Sequence, residues 1–271
     1  MSKSIAEVLQ QLQNRVQTHS LETELAGSNQ RPDVNCTKCE DRLGFIYRNE
    51  DGIEVWRKCD CINQFRVRKL MKSSHITEEF KRLSFKSFIT EGKPQIIQDA
   101  FECAMFYGRD FQEIRSLRGN SVALLGQPGA GKTHLLTALS NALMKRYHAP
   151  VLYFPFVEGF NDLRDDFNAL EEKIGHMKRV DVLFIDDLFK SAAGKPRATD
   201  WTIEQMYAVI NHRYLNHLPI LISSELTIGE ITSIDEALGS RIYEMCRSYM
   251  VLIRGDKKQL NHRLEGMFDD V

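Results

Sequence analysis

Apolar residues occur in short, nearly unbroken runs along the second part of this chain, and these runs predict the strands of a sheet. Runs without polar interruption are typical of strands buried between two layers of helices. Helices are predicted between the runs, including Glu158–Ile174 and Thr199–Leu218. Because strands alternate with helices, we expect an α/β fold with a three-layer parallel sheet. The predicted strands are Val122–Leu125, Val151–Phe154, Val180–Ile185, Pro219–Ser223 and Tyr249–Ile253.

The first part of the chain predicts a smaller unit. Ser4 and Glu7 are spaced as a capping box, and Ile5–Val16 carries apolar residues at helical spacing. This helix either packs on its own domain or offers an apolar face to a partner. The basic stretch Gln64–Ser74 is either a solvated helix and linker or a contact to a phosphate backbone. We place the domain boundary in this region, with residues 1–72 in the first domain and 73–271 in the second.

A glycine-rich segment, Gly126–Thr133 (GQPGAGKT), follows the first strand of the second domain and leads into a helix. Strand, glycine-rich turn and helix start form the context of a phosphate-binding P-loop. The glycines let successive backbone N–H groups point at phosphate oxygens, and the helix N-terminus favours negative charge. Lys132 is expected to reach the β- and γ-phosphates, and the Thr133 hydroxyl to ligate Mg²⁺. The sequence therefore predicts a site for a nucleoside triphosphate.

Two adjacent carboxylates, Asp186 and Asp187, follow the apolar run Val180–Ile185. The carboxyl end of a parallel strand faces the crevice in which ligands of such sheets bind. We expect Asp186 to hold Mg²⁺ through water and Asp187 to polarise the water that attacks the nucleotide. An exposed Asp-Asp turn is the structural alternative.

Cys36, Cys39, Cys59 and Cys61 form two closely spaced pairs in the first domain. Two β-prone runs around Asp51-Gly52 separate the pairs and predict a hairpin that brings them together. Four thiolates at this spacing suit a closed tetrahedral Zn²⁺ site that supplies folding free energy to a segment too small for its own core. Unrelated thiols or a redox pair are the alternatives, and His75 is an alternative ligand.

Composition narrows the choice of partners. The 271 residues carry a formal net charge of −1, which excludes a globally basic nucleic-acid binder and leaves only local basic patches for such contacts. The six cysteines favour metal binding or free thiols over disulfides in a reducing compartment. The sequence shows no secretory h-region and no run of apolar residues long enough for a membrane span, so we expect a cytoplasmic protein without membrane contact.

Taken together, these motifs resemble the DnaC/DnaI group of replicative helicase loaders, AAA+ ATPases of the IstB-like ATP-binding superfamily, of phage, prophage or Gram-positive type. The resemblance covers most of the chain and rests on a cysteine-rich first domain followed by GQPGAGKT, VDVLFIDDL, LPILISSEL and GSRIYE in family order. It implies a three-layer parallel-sheet P-loop AAA+ domain after a small zinc-binding domain, with ATP, Mg²⁺ and Zn²⁺ as cofactors.

The resemblance also implies roles for individual residues. Ser223–Glu225 occupies the sensor 1 place, where relatives commonly carry Thr-Ser-Asn. Since an anionic side chain would repel the γ-phosphate, we expect Glu225 to turn away and Ser224 to contact the nucleotide. Arg241 resembles the arginine finger, which acts on the nucleotide of a neighbouring subunit. The residues thereby assigned to catalysis are Lys132, Asp187 and Arg241. The residues assigned to the nucleotide are Gly126, Gln127, Pro128, Gly129, Ala130, Gly131, Lys132, Thr133, His134, Asp186 and Ser224.

Partners follow from the same resemblance. It implies binding to the replicative DNA helicase hexamer, delivery of that helicase onto single-stranded DNA, and self-association of the ATP-bound form. We expect residues 1–70 to contact the helicase, and the basic loop Lys190–Arg197 with the segment Phe154–Phe167 to contact DNA. The principal alternative is an IstB-like ATPase that assists a DNA transposase. A small-molecule kinase and a non-hydrolysing scaffold are further alternatives.

Overall fold

The computed structural model describes residues 36–161, 163, 166–192 and 195–264. The predicted N-terminal helix, residues 5–16, lies outside the described residues. The chain divides into two compact units, Met1–Ile62 and Asn63–Val271. The division falls near the start of helix α1 (Cys61–Ser73), whereas we placed the domain boundary near the end of this segment.

The described part of the first unit contains the predicted hairpin. Strands β1 (Gly44–Arg48) and β2 (Glu54–Lys58) pair antiparallel. The turn between them contains Gly52, whose φ of 78° is readily adopted only by glycine. The Asn49 side chain accepts a hydrogen bond from the Ile53 backbone N–H at 2.8 Å and so closes this turn.

The second unit is built on a five-stranded parallel sheet with the strand order β4-β5-β8-β3-β9. The glycine-rich loop follows β3, which lies between β8 and β9. The sheet strands are β3 (Val122–Gly126), β4 (Val151–Pro155), β5 (Val182–Asp186), β8 (Ile220–Ser224) and β9 (Met250–Ile253). The helices of this unit after α1 are α2 (Gln95–Ile114), α3 (Lys132–Tyr147), α4 (Phe156–Asn161), α5 (Phe167–Arg179), α6 (Asp200–Leu215), α7 (Ile228–Ile234), α8 (Glu236–Cys246) and α9 (Lys257–Leu260). Short 3₁₀ helices are Phe80–Arg82, Phe85–Ser87 and His262–Leu264.

Helices cover both faces of this sheet. Alternate side chains of a strand point to opposite faces. In β3, Val122 and Leu124 belong to one buried cluster, while Ala123 and Leu125 belong to the other. The predicted three-layer α/β fold is therefore confirmed.

The segment after β4 differs from the prediction of one continuous helix over Glu158–Ile174. Helix α4 ends at Asn161, and α5 begins after Asp166, whose side chain accepts a hydrogen bond from the Ala169 backbone N–H at 2.9 Å. A carboxylate that caps a helix N-terminus stabilises a helix start at that residue. Downstream, the loop after β5 contains a short hairpin formed by β6 (Ser191–Ala192) and β7 (Lys195–Pro196).

A buried arginine joins helix α6 to the turns at the amino-terminal ends of the inner strands β5 and β8, opposite the end of the sheet that carries the glycine-rich loop. The Arg213 side chain is 0% exposed and donates hydrogen bonds to the backbone carbonyls of Met177, Val180 and Pro219 at 2.8, 2.9 and 2.7 Å. Longer bonds run to the carbonyls of Lys178 and Asp181 at 3.4 and 3.1 Å. One side chain thus satisfies backbone groups at the end of α5 and in the turns before β5 and β8.

Of the helices in the described ranges, none combines the length and the apolar character needed to cross a bilayer.

Candidate nucleotide-binding site

The glycine-rich loop adopts a backbone conformation that only glycine accommodates at three positions. Gly126, Gly129 and Gly131 have φ angles of 107°, 77° and 79°. A Cβ atom on Gly126 would lie 2.1 Å from the Ile253 carbonyl oxygen, and one on Gly131 would lie 2.5 Å from the Phe88 ring. The spacing of the glycines is therefore required by the shape of the loop and by its neighbours.

Lys132 begins helix α3 and folds back over the loop. Its side chain is buried, and Nζ donates to the carbonyl oxygens of Gly126 and Gln127 at 2.8 Å each. Burial lowers the pKa of Lys132 to about 8, and the carboxylates of Asp187 and Glu225 act in the opposite direction. The ammonium group is thus positioned within the loop that is to receive phosphate.

Thr133 and Asp186, the two predicted magnesium ligands, are adjacent. Thr133 Oγ1 donates to Asp186 Oδ1 at 2.9 Å, and the Tyr153 hydroxyl donates to Oδ2 at 3.1 Å. Ser223 Oγ also donates to Oδ1. Burial raises the pKa of Asp186, whereas the hydrogen bonds from Ser223 and Thr133 lower it. A carboxylate held beside a hydroxyl at the end of a buried strand offers the oxygen ligands that Mg²⁺ prefers.

Asp187 lies at the next position, in a turn with left-handed backbone conformation. Its φ is 56°, and its backbone N–H donates to Ser223 Oγ at 2.8 Å. Its carboxylate accepts a hydrogen bond from Lys190 Nζ at 2.6 Å. The two carboxylates therefore have different partners. Asp186 accepts a hydrogen bond from Thr133, and Asp187 forms an ion pair with Lys190.

These groups open onto a cleft of about 430 Å³. One wall is apolar and comes from the segment that precedes α2. Phe88 packs edge-on against His134 with ring centroids 5.2 Å apart, and His134 Nε2 lies 3.2 Å from Ser87 Oγ. The lining residues are Phe80, Leu83, Ser87, Phe88, Ile89, Pro128, Gly129, Ala130, Gly131, Lys132, Thr133, His134, Asp186, Asp187, Lys190, Glu225, His262 and Arg263.

Two residues assigned to the nucleotide have other partners. The Gln127 side chain forms paired hydrogen bonds with the backbone of Gly255, at 3.0 Å to its carbonyl and 2.8 Å from its N–H. Ser224 is fully buried, and its hydroxyl donates to the Leu188 carbonyl at 2.7 Å. Glu225 lines the cleft. Its carboxylate favours the ammonium forms of both Lys132 and Lys190, two cations of the same cleft. That Glu225 turns away from a bound γ-phosphate stays a prediction.

Arg241 is held by groups of its own chain and does not line this cleft. Its Nε donates to Asn211 Oδ1 at 2.9 Å, and its guanidinium lies 5.2 Å from the centre of the Tyr207 ring. Lys190, Ile89 and His262 also line the cleft, and no role at the site was predicted for them. The positive charge of the loop after β5 could have indicated Lys190. Ile89 and His262 could not be found in this way, because they lie far from the glycine-rich loop in the sequence.

The four cysteines of the first unit form one cluster. Their Sγ atoms all lie within 4.8 Å of one another, with 3.8 Å between Cys36 and Cys59 and 3.3 Å between Cys39 and Cys61. The backbone N–H of Cys39 is the main cause that lowers the pKa of Cys36 to about 7. These distances fit the sulfur ligands of a single tetrahedral metal ion.

The chain is similar to a known protein family and to individual proteins of Bacillus subtilis. The model of the IstB-like ATP binding protein family matches residues 11–266. The phage-like element PBSX protein XkdC of Bacillus subtilis is 58% identical over 233 residues, which cover 86% of this chain and 87% of that protein. The replicative helicase loader DnaI of Bacillus subtilis is 32% identical over 184 residues, 65% of this chain and 54% of that protein.

Solved structures share the fold at low sequence identity. A crystal structure of DnaI aligns with a TM-score of 0.56 and 22% identity, and covers 66% of this chain and 95% of its own. The DnaC helicase loader aligns with a TM-score of 0.54 and 20% identity, over 66% of this chain and 100% of its own. With a family match that spans nearly the whole sequence, the chain belongs to the IstB-like ATP binding protein family.

Proposed function

We propose that this protein is an ATP-dependent loader that binds a replicative DNA helicase hexamer and delivers it onto single-stranded DNA. The observation that carries the proposal is the cleft, in which the Lys132 ammonium, the Thr133 hydroxyl and the Asp186 carboxylate converge. An ATPase fits this chemistry, and the similarity to a protein named as a replicative helicase loader supports the choice of partner.

ATP hydrolysis would use the residues of the cleft in distinct roles. The loop N–H groups and Lys132 would bind the phosphates, and Thr133 and Asp186 would hold Mg²⁺, which supplies charge neutralisation when it is bound. Asp187 would polarise a water molecule, whose oxygen attacks the γ-phosphorus while the bond to the β–γ bridging oxygen breaks. Phe88 and Ile89 would exclude bulk water from one side of the cleft.

Arg241 would act on the nucleotide of a neighbouring subunit. Its position outside the cleft of its own chain is consistent with action in trans. An arginine finger is worth about 10³–10⁵ in rate in other nucleotide hydrolases, so a lone subunit would hydrolyse ATP slowly. ATP would then act mainly as a switch for self-association.

Contacts to single-stranded DNA would come from the basic loop after β5 more than from the aromatic residues of α4. Phe156 and Phe160 are buried and pack edge-on against each other, with centroids 5.3 Å apart, so their faces are not available for bases. Lys195 and Arg197 are exposed on the loop and suit phosphate groups. Arg164, another candidate, lies outside the described residues.

The cysteine cluster would hold a structural Zn²⁺ ion. Among the described residues of the first unit, the buried apolar cluster consists of Cys39, Cys59 and Cys61, with only Cys36, Leu43 and Phe45 packed partly against it. Such a unit has little apolar area to bury, so metal binding would provide its folding free energy.

Removal of one ligand is therefore expected to release the metal. Cys39→Ser should lose bound zinc and the ordered hairpin, because three thiolates leave the site open. Zinc content per chain, measured by elemental mass spectrometry, and hydrogen exchange of the β1–β2 amides would show this. Cys103→Ser, in the second unit, is the matched control and should retain both. Full zinc occupancy in Cys39→Ser would contradict the assignment of this ligand.

Native mass spectrometry with a cognate replicative helicase hexamer tests the loader proposal directly. We expect a stoichiometric complex whose abundance differs between ATP and nucleotide-free conditions. No complex in either condition would overturn the proposal and favour the transposition ATPase, for which a DNA transposase would be the partner to test next. The family match itself favours neither partner.

A further inference from the structure

The second carboxylate of the acidic pair, Asp187, forms an ion pair with Lys190 within the cleft. Lys190 Nζ lies 2.6 Å from Asp187 Oδ2, and both side chains line the cleft. The side chains are 43% and 30% exposed, respectively. Partial burial leaves such a contact less screened than a pair on the open surface.

The turn that carries this pair holds the main chains of Asp187 and Lys190 close together. Asp187 and Phe189 both have left-handed φ angles, of 56° and 53°. The Lys190 backbone N–H donates to the Asp187 carbonyl at 3.0 Å and closes the turn. Leu188 and Phe189, which lie between Asp187 and Lys190 in the sequence, are fully buried. The Phe189 ring packs edge-on against Phe156 with ring centroids 5.2 Å apart.

The loop downstream holds Lys190 from its other side. The Lys190 carbonyl accepts a hydrogen bond from the Arg197 N–H at 3.1 Å, at the base of the β6–β7 hairpin. The hydrogen bond to Asp187 is also the main cause that raises the pKa of Lys190, so its ammonium form is favoured in this position. Backbone hydrogen bonds on both sides therefore fix the main chain of Lys190 within reach of the Asp187 carboxylate.

This contact opposes the role of Asp187 in hydrolysis. A carboxylate polarises water through a free lone pair of a correctly placed oxygen, and the Lys190 ammonium occupies Oδ2 of Asp187 at 2.6 Å. We propose that Lys190 is a positioning residue that restrains ATP hydrolysis by holding Asp187 in this ion pair. The inference rests on the proposed ATPase function.

Steady-state ATP hydrolysis by four forms of the full chain tests the restraint. Lys190→Gln removes the charge, and we expect its kcat to rise several-fold while KM for ATP stays unchanged. Lys190→Arg should keep the wild-type kcat, because a guanidinium also pairs with a carboxylate. Lys145→Gln is the matched control, since it removes the same charge from an exposed position in the last turn of α3 that does not line the cleft.

The outcomes separate this inference from the function on which it rests. If wild-type protein hydrolyses ATP and the kcat of Lys190→Gln is no higher, the restraint is overturned. A raised KM for ATP in Lys190→Gln would overturn it too, because Lys190 would then contact the substrate. An equal rise in Lys145→Gln would also overturn it, because the loss of one positive charge anywhere on the domain would then explain the effect. If neither wild-type protein nor Lys190→Gln hydrolyses ATP, the proposed ATPase function fails as well.

Discussion

Lys132→Ala is expected to abolish ATP hydrolysis and ATP-dependent self-association with little change in the fold. The ammonium group of Lys132 is the buried cation of the phosphate-binding loop, and it lies 2.8 Å from the carbonyl oxygens of Gly126 and Gln127. Loss of one preorganised charge at a developing anion typically costs about 10²–10³ in kcat. We expect at least this loss in ATP hydrolysis, together with weaker ATP binding. Steady-state kinetics and titration with a fluorescent ATP analogue would measure both.

A control on the same helix makes the result specific. Lys145 lies in the last turn of α3 and is exposed, so Lys145→Ala changes the same side chain away from the cleft. It should match the wild-type protein in both assays. If Lys132→Ala kept the wild-type affinity for ATP and the wild-type kcat, this cleft would not be the site of hydrolysis. If the variant still assembled in response to ATP, the proposal that ATP controls self-association would be contradicted.

Arg213→Met is expected to have the largest effect on stability. Arg213 is 0% exposed, and its guanidinium donates to the carbonyls of Met177, Val180 and Pro219 at 2.9 Å or less. Methionine fills part of the space but donates no hydrogen bond. The Pro219 carbonyl keeps a hydrogen bond from the Leu183 N–H at 3.2 Å, so the carbonyls of Met177 and Val180 lose their close donor. Because each buried carbonyl left without a donor costs about 1–3 kcal/mol, the free energy of unfolding should fall by roughly 2–6 kcal/mol. Urea denaturation followed by circular dichroism would measure the difference.

Arg254→Met provides the comparison for the same chemical change at the surface. Arg254 is 61% exposed, and its ion pair with Glu230 is long, at 3.8 Å. Its replacement should change the free energy of unfolding by less than about 0.5 kcal/mol. Similar stabilities for the two variants would mean that water replaces the guanidinium of Arg213 at the carbonyl groups.

The parts of this fold that follow from local sequence were predictable. Val182–Asp186 and Ile220–Ser224 are strands of the sheet. Their unbroken apolar runs predicted this, because both faces of such a strand are buried under helices. The hairpin at Gly52 followed from its turn residues. The glycine spacing anticipated the loop because three positions require positive φ angles. In each case, the determining residues lie within a few positions of one another.

Features that depend on distant residues were not predictable in this way. Ile89 forms part of a wall of the cleft although it precedes the glycine-rich loop by a whole helix. Lys190 approaches the cleft from another loop, and the Glu225 carboxylate favours its ammonium form. Arg213 was missed because an arginine within a helix is usually exposed. Such contacts are set by tertiary packing, which single-sequence periodicity does not contain.

The paired hydrogen bonds between Gln127 and Gly255 have a consequence for biosynthesis. They join residues that are 128 positions apart, and the His262 N–H adds a bond to the Gly129 carbonyl at 3.1 Å. Strand β9 also pairs with β3 directly beside the loop. A nascent chain that has emerged only as far as β8 therefore has the phosphate-binding sequence without the contacts that shape it. ATP can stabilise the folded protein only after residue 262 has left the ribosome, so earlier folding proceeds without help from the nucleotide.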